Sequence, residues 1–194
     1  MRVRLIYSKR GGACFVPHIA LAQVFSRSAT RAGFTLTMTQ GFSPRAKITF
    51  GPELPAGVVA LAEPVDMFMT DAPENITERM NSSLPEGFTV SRVMFPPDDA
   101  PNLGKSCKAA EYFIRTAQNI HEHAQTFYGD YVVKSEYAGE WMRLILSDPA
   151  QNPIGGLVKY LVRENIIAGW HEVNIVRAAI GSYDSEKDIV YLNE

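Results

Sequence analysis

The sequence predicts an α+β protein made of two βαββαβ units in tandem, with antiparallel sheets. Three observations predict it: short runs of period-two alternation, helical stripes set between them, and the same order of elements on both sides of a proline-rich stretch. The chain has 194 residues, 46% of them hydrophobic, enough for one good core or two small ones.

Each element follows from its residues. RVRLIYS (2–8) places Val3, Leu5 and Tyr7 on one side and Arg2, Arg4 and Ile6 on the other, a half-buried strand. After Gly11-Gly12, the run CFVPHIALAQVFSRSATRAG repeats Leu21, Phe25, Ser28 and Ala32 at helical spacing, and Gly33 stands where a C-cap belongs. The opposite stripe holds Gln23, Arg27 and Thr30, with Arg31 one turn beyond Arg27. FTLTMT (34–39) and KITFG (47–51) alternate as strands, joined by the loop around QGFSPRA. VVALAEPVDMFMT extends the sheet, APENITERMNSSL reads as a helix introduced by Asp71 and Pro73, and FTVSRVMF is a strand.

PPDDAPNLGKS (96–106) is a linker by composition. Beyond it EYFIRTA, NIHEHAQTFYG, DYVVKSEY, EWMRLILSD, PIGGLVKYLVREN and HEVNIVRAAIGSY repeat strand, helix, two strands, helix and strand. Two ferredoxin-like domains are therefore expected, at residues 1–97 and 108–194. Each would carry helices on one face and leave the other open, the platform on which RNA-binding domains of this topology stack bases.

The charge is segregated. Through Pro52 there is no Asp or Glu, and Arg2, Arg4, Lys9, Arg10, Arg27, Arg31, Arg45 and Lys47 give +8; all 21 acids and 11 further cations follow, giving −10. A net charge of −2 hides that field, and a basic face is the footprint of phosphate binding. Candidate RNA contacts are Arg4, Lys9, Arg10, His18, Arg27, Arg31, Phe42, Arg45 and Lys47. Phe42 can stack on a base or staple its turn to the core, and the loop cations can bind phosphate or keep the loop hydrated.

Motifs for chemistry are sparse. His18 opens the first helix, where it caps, packs, or acts as a general acid/base on RNA with Lys9 or Tyr7 assisting. His121 and His123 are two residues apart and diverge on a helix, against a metal pair, and NPIGGLVKYL lacks phosphate-loop spacing, so its glycines indicate close packing. No catalytic triad order, metal cluster or dinucleotide fingerprint is present, and no cofactor is expected. Cys14 and Cys107 lie far apart without a CxxC, as reduced cytosolic thiols do. The alternating start is no signal peptide, and no run reaches the roughly 18 apolar residues of a membrane helix, so a cytoplasmic protein without membrane contact is expected.

RVRLIYSKRG, FVPHIALAQVFSRSATRAG, QGFSPRAKITFGPELPAGV and AEPVDMFM, in that order, resemble the radical-SAM-linked family of unknown function, DUF2344. The resemblance covers about the first 95 residues, and the second half is similar only loosely. Family members occur alone or fused to a radical SAM protein, so the resemblance implies such a partner. Ala20 stands where the family tends to have Asp, and Arg45-Ala46 where it tends to have His-Pro; the loop keeps a cation. Two cysteines cannot supply the three thiolates of a radical SAM cluster, so this chain is not that enzyme. The expectation is a non-catalytic RNA-binding accessory protein working with a radical SAM enzyme that modifies RNA or a ribonucleoprotein. The alternatives are a metal-independent endoribonuclease using His18 and an interaction module docking an acidic protein.

Overall fold

The computed structural model describes residues 1–70 and 74–192. Within them the order is β1 (Arg2–Lys9), α1 (His18–Arg31), β2 (Ile48–Phe50), β3 (Val59–Phe68), α2 (Ile76–Ser83), β4 (Phe88–Met94) and α3 (Leu103–Ser106). It continues with β5 (Ala109–Arg115), α4 (His121–Tyr128), β6 (Val132–Ala138), β7 (Trp141–Ser147), α5 (Ile154–Arg163), β8 (Asn174–Asp184) and β9 (Ile189–Tyr191). The expected lead-in to α2 at Asp71 and Pro73 lies outside the described residues. The stretch 34–39 is not a strand but holds two isolated bridges, Leu36 to Met69 and Met38 to Ala46. The proline-rich connection contains the short α3, and β9 adds a strand that periodicity did not signal.

The protein is mixed α/β, and among the described residues nine strands form one mostly antiparallel sheet. Its path runs β4-β1-β3-β8-β5-β7-β6, with β2 on β3 and β9 on β8. The two halves thus share a sheet, joined by a parallel contact in which Val59 faces Val176 and Ala60 faces Arg177. β3 is long and β2 is short: β2 pairs residues 65–67 alone, leaving the start of β3 free to bind β8. Pro64, which cannot donate to a ladder, stands between those two pairings.

At this junction lies a buried ion pair. Arg177 Nε donates to Glu63 Oε1 at 2.7 Å and Nη2 donates to Glu63 Oε2. The same guanidinium donates to the carbonyls of Pro52 at 2.9 Å and Glu53 at 3.4 Å, tying the 51–58 loop to the seam. Glu63 is in register with Tyr7, and Arg177 with Tyr112, which sets both helix layers on one side of the sheet. In the N-terminal half Val3, Leu5, Tyr7, Phe25, Val65, Met67 and Met80 form that layer's core. Tyr112, Leu144, Leu157 and Leu161 do so in the other half. Gly155 and Gly156 are packing glycines, since a Cβ would meet Pro55 at 3.2 Å and Phe127 at 3.1 Å.

The opposite face of the N-terminal half is not open. All of β1 is buried, and the 96–107 connection lies across it: Arg2 Nη2 donates to the carbonyls of Pro97 at 2.7 Å and Ala100 at 3.0 Å. Leu103 and Cys107 join Ile6 and Met94 in the larger core. β1 is therefore a central strand buried on both faces, not half-buried, and its covered face cannot serve as a stacking platform.

Candidate nucleic-acid interface

α1 forms because Leu21, Phe25, Ser28 and Ala29 make one buried stripe, while Pro17 precedes its first residue with φ preset for a helix start. Arg79 closes its other end, donating from Nη2 to the Ala32 carbonyl at 2.6 Å. The exposed side of α1 carries Gln23, Arg27, Thr30 and Arg31. Against it lies a narrow hairpin. Thr39 N–H donates to the Arg45 carbonyl at 2.7 Å, Arg45 N–H returns to Thr39 Oγ1 at 3.0 Å, and Lys47 N–H reaches the Thr37 carbonyl at 2.7 Å. Gln40 to Pro44 make its exposed tip, where Phe42 is fully solvent-exposed and staples nothing.

Two adjoining grooves run between helix and hairpin and share Ser26 and Ala46. Arg27, Arg31, Phe34 and Met38 line one; Ile19, Ala20, Gln23 and Arg45 line the other. Among the described residues no acid lines either groove. Among the described residues Arg27, Arg31 and Arg45 have no carboxylate within ion-pairing distance. Arg31 is partly committed, since Nη2 donates to the Ser83 carbonyl at 2.7 Å and to Ser28 Oγ at 2.9 Å.

The structure places Arg27 and Arg31 on one groove and Arg45 on the adjoining one, and separates the remaining cationic candidates from them. Arg4 is an interior residue: Nε and Nη2 clasp Asp66 Oδ1 and Oδ2 at 2.6 and 3.0 Å, so it is neutralised and out of reach of phosphate. Lys9 is 2% exposed, donates to the Val16 carbonyl at 3.3 Å, and is equally withdrawn. Its burial lowers its pKa from the usual lysine value. Lys47 is exposed but sits over the Phe68 ring at 4.1 Å, on the sheet face opposite the Ile48–Met67 pair and α1. Arg10 is exposed at the far end of β1, where its N–H meets the Gly87 carbonyl.

His18 packs edge-on to Phe50 with ring centroids 5.6 Å apart, and no side chain caps α1. Burial pushes its pKa below the usual imidazole value, with Glu53 opposing and Arg177 reinforcing that shift. The exposed Ile19 and Met38, 89% and 51% accessible, escaped sequence reasoning. The signal for Ile19 was its position off the Leu21–Phe25–Ser28 stripe.

His121 Nδ1 lies 3.0 Å from Ser135 Oγ, and among the described residues no three His, Cys, Asp or Glu side chains form a metal-binding group. Nor is any described helix long and apolar enough to cross a membrane.

Fold and site together define a mixed α/β protein whose basic helix face and hairpin flank two grooves lined, among the described residues, by no acid. Residues 2–142 match the family model described as an uncharacterized protein conserved in bacteria, DUF2344, and the chain belongs to that family. The match runs through the connection and into β7, well past the residues whose wording resembled the family. No curated protein matches the chain.

Proposed function

We propose that this chain is a cytoplasmic, non-catalytic RNA-binding accessory protein, working with a radical SAM enzyme that modifies RNA or a ribonucleoprotein. One observation carries the RNA part: Arg27 and Arg31 line one groove and Arg45 the adjoining one, and among the described residues no carboxylate lines either. Solvated arginines need no such arrangement, whereas a phosphate backbone binds several at once. The radical SAM partner rests on family resemblance alone.

Each half is read as a ferredoxin-like unit, at residues 1–97 and 108–194. Supporting this, the orders β4-β1-β3-β2 and β8-β5-β7-β6 both run fourth, first, third, second. Cleavage through His18 draws less support, because its supposed helpers Lys9 and Tyr7 are 2% and 3% exposed.

The test is the double variant Arg27→Glu/Arg45→Glu. Both residues are exposed and, among the described residues, without an ion-pair partner, so its melting temperature should hold while RNA affinity falls. If both touch phosphate, the slope of log affinity against log salt should shrink by about 1.4 for single strands. Unchanged affinity, or no RNA binding by the native protein, refutes the reading.

A further inference from the structure

We propose that the recess between α1 and the hairpin holds one unpaired nucleobase of the bound RNA, with Phe42 stacking on a neighbouring base. The proposal rests on the RNA-binding reading above and names the RNA's form: single-stranded. The recess has a volume of about 440 Å³ and is lined by the small residues Ala20, Ala22 and Ala46. Ile19 projects beside it, 89% exposed, an aliphatic side chain with almost nothing of its own fold to pack on. A planar ring would cover it.

The polar groups suit a base edge. Gln23 lines the recess, and its side-chain amide makes no hydrogen bond within the described residues, leaving donors and an acceptor free. Such an amide pairs bidentately with base edges. Arg45 completes the lining, where a guanidinium can stack on the ring or bind the adjoining phosphate. Phe42 on the hairpin tip offers an unobstructed ring, and base–aromatic stacking accepts any base. Paired bases in an A-form duplex are stacked inside the helix and cannot enter a recess of this kind. An acidic protein would satisfy the arginines but leave the recess, Gln23 and Phe42 without a role.

The experiment uses the full chain, a short fluorescent single-stranded oligoribonucleotide, and the same strand annealed to its complement. Anisotropy should show the single strand bound roughly tenfold or more tightly than the duplex. Ala22→Phe fills the recess from an exposed position on α1, and Phe42→Ala removes the stacking ring. Each should cut single-strand affinity roughly tenfold while leaving duplex affinity and melting temperature unchanged. Gln23→Ala should alter the preference among homopolymers and leave duplex binding alone. Equal affinity for both forms, or full single-strand affinity in Ala22→Phe and Phe42→Ala, overturns the base recess; if Arg27→Glu/Arg45→Glu still abolishes binding, the RNA reading survives that failure. Absence of binding to any RNA removes both.

Discussion

Replacing Arg177 by Met should show how firmly the seam holds the two halves. The variant keeps an unbranched, flexible side chain but removes the guanidinium and with it the charge-assisted bonds to Glu63 and the Pro52 and Glu53 carbonyls. Glu63, 5% exposed, would lose its clasping guanidinium, and the Pro52 and Glu53 carbonyls would lose their donors. Breaking a buried pair by removing one partner costs about 3 to 5 kcal/mol, because the other charge stays buried and unpaired. For a chain of this size each kcal/mol moves the melting point about 2 to 4 °C, so a fall of roughly 6 to 20 °C is expected. Calorimetry measures it, and limited digestion with a glutamate-specific protease reports the loop separately, since Glu53 should be cut faster once its carbonyl is released. The double variant Arg177→Met/Glu63→Leu should recover much of the loss, as an apolar pair of similar volume can replace a buried salt bridge. A fall of less than about 1 kcal/mol in the single variant, or strictly additive losses in the double, would refute the account of the seam.

The buried titratable groups make two further predictions. Folding lowers the pKa of Lys9, so the native state disfavours its charge; that penalty is full below the folded pKa and fades as pH rises toward the unfolded value near 10.5. Lys9→Met should therefore be more stable than the parent at neutral pH, with the gain disappearing at high pH, as denaturant titrations at several pH values will show. His18 follows the same sign: its folded pKa lies below 6.5, so the protein should lose stability as pH falls through the unfolded value. His18→Phe should flatten that slope, and an NMR titration that places the His18 midpoint above 6.5 contradicts the burial argument.

Element order was legible along the chain because it depends on neighbours. The Leu21–Phe25–Ser28 stripe, the alternation of β1 and β7, and the proline-rich connection are local patterns, and the structure has helices and strands where most of them predicted. The family resemblance was legible too, in words spread over the first half. Charge segregation was visible in the sequence, but the fate of each cation was not. Arg4 meets Asp66 across 62 residues and Arg177 meets Glu63 across 114, pairings that no window of sequence contains. Lys47 and Arg45 are two residues apart, yet the register of β2 against β3 turns Lys47 away from α1. The 34–39 run looked like a strand and became one side of a hairpin held by isolated bridges, because the short β2 leaves it little ladder to join. Closure of the sheet face by residues 96–107, and the parallel joint of β3 with β8, also belong to the tertiary structure. The physical reason is the same for each: periodicity shows that a side chain must be buried or exposed, whereas its partner is set by which distant strand supplies unpaired backbone or opposite charge in a low-dielectric interior.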